Sequence, residues 1–352
     1  MSGASAGPAR VTAFGPGRVN LIGEHTDYNG GLSLPFAIAE GVRVTATATA
    51  GDDVIAVAAD FGEDDTFPLA DPPRGGEGWR AFVRGVVAEL QADGHPVRAT
   101  RLEIAGTIAR GSGLSSSAAL EVALCLALLG VAGDRDPADR PALARLCARV
   151  ENDWVGAQTG LLDQTAALLG QDGHALRIDF TTMDVTPVPL HLGDWRLVTL
   201  DSGETHSLAT GGYNERRAEC DDAAARLDVE TLSAAEPEAA AALPEPLNRR
   251  ARHVLEENAR VDATIAALRD GDLEDVGRLL SASHTSLRDL YDSSTTAVEA
   301  TVDGLLAAGA AGARMVGGGF GGHVLALLPP GVAIPGGAVQ VTPGGGARLL
   351  DG

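Results

Sequence analysis

The stretch from Ala118 to Leu129, AALEVALCLALL, is apolar nearly all round. A helix without a broad polar face has to be covered on most of its sides, so the chain must build layers around this one. Just before it the strand-like run VRATRLEIAGTI (97 to 108) gives way to small residues and three serines. Strand, glycine-rich turn and buried helix in that order indicate a mixed α/β domain.

The 352 residues, 45% of them hydrophobic, suffice for one large or two ordinary domains. Aromatics make up only 4% while Ala and Gly are abundant, so helices are expected to pack closely through small residues. A formal charge of −21 argues against a general nucleic-acid or anionic-membrane surface but leaves room for a small anion in a locally positive pocket. Lysine is absent and all 27 basic residues are arginine, a composition that a GC-rich genome also yields. Its absence rules out a lysine-dependent phosphate loop, the protein-kinase ATP site and Schiff-base chemistry. Phosphate chemistry here must use arginine, backbone N–H groups, helix dipoles or a metal. Cys125, Cys147 and Cys220 lack metal-site spacing and read as free thiols of a reducing cytosol. With no signal-like apolar core and no run of 18 apolar residues, a soluble cytoplasmic protein is expected.

Along the chain, ARVTAF (9 to 14) predicts a strand leading into a polar, glycine-framed loop, GRVNLIGEHTDYNGG (17 to 31). Residues 41 to 60 alternate as a hairpin about Gly-Asp-Asp. Helices are predicted over 79 to 92, 141 to 155 and 159 to 169, and strands over 175 to 180 and 195 to 202. A first domain closes near residue 190; the second holds long helical patterns from 213 and 249, an exposed Ala/Glu/Pro-rich connection at 233 to 246, and a final Gly-rich loop before HVLALL.

Three segments carry chemistry. In GSGLSSSAALEVAL, Gly111, Ser112, Gly113, Leu114, Ser115, Ser116 and Ser117 lead into the buried helix. Its first N–H groups form an anion site that needs no lysine, and serine hydroxyls can bind phosphate or magnesium. Ordinary capping would need only one serine. Asp163 stands among Leu161, Leu162, Ala166 and Ala167 near a helix start, and Glu151 lies upstream in ARVENDW; each could equally be a solvated helix carboxylate. Five glycines in the six positions 317 to 322, just before His323, bring backbone close to a ligand or another loop.

In this order these stretches resemble the three motifs of the GHMP small-molecule kinases, and GRVNLIGEHTDYNGGLSLPFAI (17 to 38) is similar to the signature of the galactokinase family within them. ENDWVGAQTGLLDQ, HSLATGGYNERRAEC and RRARHVLEEN extend the similarity over residues 11 to 328. The resemblance implies a two-domain α+β fold. A ribosomal-S5-domain-2-like α/β domain would span 1–190 and a ferredoxin-like α+β domain 191–352, with the active site in the cleft between them. It also implies a cytoplasmic monomer that binds galactose and ATP with Mg²⁺ and phosphorylates the anomeric hydroxyl of α-D-galactose. Arg18, Glu24, His25, Asp27, Gly160, Asp163 and Tyr213 fall on sugar-site positions, Asp163 on that of the catalytic aspartate, and residues 111 to 117 on the ATP phosphate loop. Ser117 and Glu151 fall on magnesium positions. Arg18 would orient Asp163 and stabilise the transferring phosphoryl group. Departures occur at QTGLLDQ, at YDSSTTAVEATVD (291 to 303) and at His323. A kinase for a related sugar, and a sugar-binding protein without turnover, are the alternatives.

Overall fold

The computed structural model describes residues 9–108, 113–137, 139–204 and 209–350. In chain order the elements are β1 (Arg10–Asn20), β2 (Leu32–Ser33), β3 (Pro35–Ala48), β4 (Asp53–Ala58), β5 (Glu63–Pro68), α1 (Trp79–Ala92), β6 (Thr100–Gly106), α2 (Ser116–Ala132), α3 (Arg140–Arg149), α4 (Leu162–Leu169), β7 (His174–Asp179) and β8 (Asp184–Pro189). There follow β9 (Arg196–Asp201), α5 (Ala209–Leu227), α6 (Pro237–Ala241), α7 (Leu247–Asp270), α8 (Leu273–Asp289), α9 (Thr296–Ala307), β10 (Gly312–Met315), β11 (His323–Leu328), β12 (Val339–Val341) and β13 (Arg348–Leu350).

The helix that most constrained the sequence is covered as expected. Every residue of α2 from Ala118 to Val131 is buried, with β1 and β3 beneath it and α1, α3 and α4 around it. The sheet below runs β13-β1-β3-β6-β4-β5 and is antiparallel except where β4 meets β6. Small residues set the spacing. A Cβ on Gly15 of β1 would stand 2.0 Å from the Ala119 carbonyl oxygen of α2, so strand and helix backbones nearly touch.

A second sheet, β10-β11-β9-β12, is antiparallel throughout and packs on α8 and α9, with α7 and α5 behind. This is the strand order of a ferredoxin-like unit, but residues 329 to 338 join β11 to β12 without its usual second helix. Between the sheets lies a middle core. There Val19, Leu21, Leu34 and Phe36 from the N-terminal segment meet Val261, Ile265 and Leu280 of α7 and α8 and Leu325 and Leu327 of β11. The polar first motif is therefore rooted in an apolar junction between the two layers. Among the described residues no helix is long and apolar enough to cross a membrane.

Several expectations change. Residues 41 to 60 supply strands but not a hairpin, because β6 inserts between β3 and β4 and the hairpin partner of β4 is the charged strand β5. β1 continues through Gly17 to Asn20, with a register shift between Pro16 and Arg18, so Arg18 stands on a strand and not in a loop. Within the connection at 233 to 246, Ala235 and Ala240 are buried and α6 forms. The stretch after residue 190 also sends a strand to the first sheet, where Thr12, Ala13 and Phe14 of β1 pair with Leu350, Leu349 and Arg348 of β13. Cys125 and Cys147, distant in sequence, lie with their sulfurs 3.6 Å apart in the core, both as free thiols.

The contact between β1 and α2 generates a stability prediction. Gly15→Ala overpacks a backbone-to-backbone junction and is expected to lower the unfolding free energy by about 1–3 kcal/mol, read from the urea midpoint at constant m. An unchanged midpoint would show that the junction has room to move.

Candidate active site

The loop that leaves β1 is shaped by side chains from the other half of the molecule. Arg314 on β10 is fully buried; its Nη1 donates to the Asn20 and Leu21 carbonyls at 2.7 and 2.9 Å, and its Nη2 lies 2.9 Å from Glu24 Oε1. The same Glu24 oxygen accepts the Gly317 N–H at 2.8 Å, so the third motif contacts the first directly. On α7, Glu257 accepts the Gly23 N–H at 3.0 Å, Asn258 accepts the Leu32 N–H at 2.8 Å, and His253 meets the Glu24 carbonyl at 3.1 Å. Burial alone would push Glu257 up, but Arg260, His253 and Arg314 outweigh it and hold the carboxyl at about 2. Burial brings His253 down to about 4, so it packs as a neutral ring.

Arg18 points its guanidinium at Asp163. Nε donates to Oδ1 at 2.7 Å, Nη2 to Oδ2 at 2.8 Å, and Nη1 to the Gly113 carbonyl at 2.6 Å. Burial opposes the charge on Arg18, but the field of Asp163 and Glu24 more than compensates and keeps it protonated. The Arg18 backbone N–H bonds the Leu114 carbonyl at 3.1 Å, which ties the turn before α2 to β1. Ser115 Oγ donates to Asp163 Oδ2 at 2.7 Å. Ser115 occupies the N-cap position of α2, yet its backbone is left-handed (φ 63°, ψ 51°) and its side chain caps nothing. That conformation costs a non-glycine residue about 1–2 kcal/mol.

Arg18, Glu24, His25, Asp27, Gly160, Asp163 and Tyr213 all line one cavity of about 210 Å³, together with Asn214 and Gly317 to Gly319. His25 stacks at 4.5 Å on Tyr291 and at 5.4 Å from Tyr213, and its Nδ1 lies 2.8 Å from the Tyr28 hydroxyl. Burial drives His25 down to about 3, so it meets a ligand as neutral imidazole. Asp27 is pushed up to about 6, first by burial and then by the nearby Asp163 charge. Gly160 is fixed by that carboxylate, because a Cβ there would fall 1.9 Å from Asp27 Oδ2. Tyr213 lies against Gly318, and burial raises its phenol well above the ordinary value.

On the far side of Asp163 is the start of α2. Gly113 and Leu114 form the turn, Ser116 opens the helix and Ser117 follows; Gly111 and Ser112 lie outside the described residues. Glu151 is brought there by a π-helical turn, Val150–Val155, that interrupts the helical run expected over 141 to 155. Such turns are frequent where a side chain must be re-aimed at a site. Among the described residues the hydrogen-bond partners of Glu151 are neutral: Thr159 Oγ1 at 2.5 Å, Gln164 Nε2 at 3.0 Å, and the Ser117 hydroxyl. Burial, then the Asp163 charge, raises its carboxyl. Among the described residues no three His, Cys, Asp or Glu side chains converge as a metal cluster.

Sequence reasoning overlooked Arg314, His253, Glu257 and Asn258. His253 and Glu257 stand at i,i+4 on α7, a spacing that puts both on one face, but nothing local says which face meets the loop. Of the departures, Tyr291 is wholly buried and bonds Tyr28 at 2.8 Å, while His323 is half-buried at the start of β11.

Comparison with known proteins agrees with this geometry. The galactokinase galactose-binding signature matches residues 3–48, the GHMP kinases N terminal domain 81–171 and the GHMP kinases C terminal domain 264–334. The chain is 45% identical to the galactokinase of Mycobacterium tuberculosis, covering 91% of this chain and 89% of that one. It is 40% identical to that of Streptomyces coelicolor, over 89% and 83%. Lactococcus lactis galactokinase, solved in complex with galactose, superposes with a TM-score of 0.90 at 33% identity, covering 97% of this chain and 95% of that one. The Methanococcus jannaschii mevalonate kinase shares the fold at 17% identity, TM-score 0.69, over 99% and 100% of the two chains.

The raised Asp27 carboxyl predicts a pH-dependent effect. An acid with a folded pKa near 6, above its unfolded value, destabilises the fold as pH rises through the interval from about 4 to 6, and the loss persists above it. Asp27→Asn should therefore make the ligand-free protein more stable at pH 7.5, by at most about 3 kcal/mol, with the gap closing by pH 4. Equal denaturation midpoints for variant and parent at both pH values would contradict this assignment.

Proposed function

The chain belongs to the galactokinase family of the GHMP kinases, and on that premise we propose how its own residues divide the work. The protein is an ATP-dependent sugar kinase that converts α-D-galactose to galactose 1-phosphate and ADP. One observation carries the residue-level reading: seven residues from three distant segments line a single cavity, and the ion pair at its edge bonds the turn that opens α2.

In this reading Glu24, His25, Asp27 and Tyr213 surround the sugar with short directional donors and acceptors, and Gly160 leaves space for the Asp27 carboxylate. The anomeric oxygen attacks the γ-phosphorus, the bond from that phosphorus to the bridging oxygen breaks, and ADP departs. The hydroxyl proton passes to Asp163. Arg18 holds the carboxylate on two nitrogens, and proton transfer late in a loose transition state suits that arrangement. Arg18 also stands where charge on the transferring group would be balanced. The uncapped N–H groups at the start of α2 cradle the nucleotide phosphates.

Ser117 and Glu151 fit magnesium by their chemistry. They pair a hydroxyl with a buried carboxylate whose hydrogen-bond partners among the described residues are neutral, and the ion takes few protein oxygens when phosphates and water complete its shell. Bound there, Mg²⁺ would supply neutralising charge to the phosphates. A cytoplasmic setting and action as a monomer belong to the same proposal.

Two measurements test the reading. In a coupled ADP-release assay over a panel of hexoses, deoxy and amino sugars and pentoses, galactose should give the highest kcat/KM; a higher value for another sugar transfers the assignment to that sugar. Asp163→Asn should lose nearly all turnover while binding ATP close to normally. Activity retained within tenfold, a barrier change of only about 1.4 kcal/mol, would remove Asp163 from the proton-accepting role.

A further inference from the structure

The resemblance assigns Ser115 to the phosphate loop, but its hydroxyl makes a different contact. We infer that Ser115 is a positioning residue for Asp163, and that its side chain gives no hydrogen bond to the nucleotide. This inference rests on the reading of Asp163 as proton acceptor.

A serine hydroxyl carries one hydrogen. Ser115 gives it to Asp163 Oδ2 at 2.7 Å. Phosphate oxygens and an ionised carboxylate are both acceptors only, so the hydroxyl cannot serve a nucleotide phosphate while it serves Asp163. The backbone N–H is a separate group, and a phosphate role can fall to it without the hydroxyl. Ser115 is 9% exposed, so water competes little for the contact.

Local structure points the same way. An N-cap serine ordinarily has extended dihedrals and bonds an N–H of the first turn. Ser115 is left-handed and makes no such bond, although a serine in the usual conformation would stabilise α2. Both the cap and an unstrained backbone are given up at one residue, and the carboxylate contact is what the hydroxyl makes instead.

The geometry also explains what a second donor adds. Arg18 approaches Asp163 along one edge, with Nη2 2.6 Å from Oδ1 as well as bonded to Oδ2. A carboxylate held from one edge can still tilt about its Cβ–Cγ bond. Ser115 holds Oδ2 from the turn before α2, which blocks that tilt. Because the Gly113 and Leu114 carbonyls bond Arg18, the three residues 113 to 115 reference the base to the nucleotide cradle.

Two variants test this in the full-length enzyme. Ser115→Ala and Ser115→Gly should each lower kcat by about ten- to a hundredfold, leave KM for ATP and for galactose within twofold, and shift the acid limb of the kcat profile to higher pH, since a carboxylate that loses a donor holds its proton more tightly. Glycine adopts the left-handed backbone freely, so it separates hydroxyl from strain. Restoration of kcat by Ser115→Gly alone would overturn the proposal in favour of backbone geometry. A tenfold rise in KM for ATP at unchanged kcat would overturn it in favour of a phosphate ligand, and a fall in Tm with unchanged kinetics in favour of a helix cap. The Asp163→Asn result is read separately: a loss of kcat in the Ser115 variants beside a fully active Asp163→Asn enzyme would show that Ser115 does not act through that carboxylate.

Discussion

The buried guanidinium of Arg314 is the constraint around which the site is arranged. A charge taken wholly out of water is tolerated when an opposite charge meets it, and leaving one partner of such a pair alone costs about 3–5 kcal/mol. Arg314 is met by the carboxylate of Glu24 and gives its Nη1 to two carbonyls from the end of β1, while its Nε has no hydrogen-bond partner among the described residues. Those partners belong to the N-terminal segment, whereas Arg314 belongs to the second sheet. Its burial therefore fixes where the first motif lies relative to the third. The Gly317 N–H on the same Glu24 oxygen and the α7 contacts to Gly23, Glu24 and Leu32 elaborate that one alignment.

From this alignment the chemistry follows by short steps. Arg18 lies only two residues before Asn20, so fixing the end of β1 fixes its guanidinium, which in turn holds Asp163 and the turn before α2. Burial at this junction holds His25 neutral and raises Asp27, and burial on the α2 side raises Glu151. Local rules are broken where this happens. His25, Ser115 and Phe320 all have positive φ without being glycine, and Glu151 sits in a π-helical turn. Strain of this kind persists only when the surroundings over-determine it.

Periodicity made much of the architecture legible. The all-round apolar run located α2, and helical spacing located α1 to within a residue, because those signals depend on burial patterns internal to the segment. Strand partners were not legible: β4 and β5 pair across a turn whose second strand, EDDTFP, looks like solvent-exposed coil. The site was legible as a set of residue types through the motifs, since glycines and paired polar groups in loops are costly to keep without a role. Its supports were not. Glu257 and Arg314 read as ordinary surface charges in sequence, and only tertiary contact makes them interior groups. The role of Ser115 was hidden for a similar reason, because a serine before a helix signals a cap whether or not its hydroxyl finds a better partner.

The pairing of β13 with β1 bears on the timing of folding. Thr12 has Leu350 as its partner, so one edge of β1 stays open on the ribosome until almost the whole chain described here has emerged. That edge presents unpaired backbone groups beside an alternating apolar strand, a template for pairing with another chain. The strand that carries Arg18 thus keeps an open edge in the nascent protein until β13 arrives, and production of active enzyme will depend on how quickly synthesis delivers that strand.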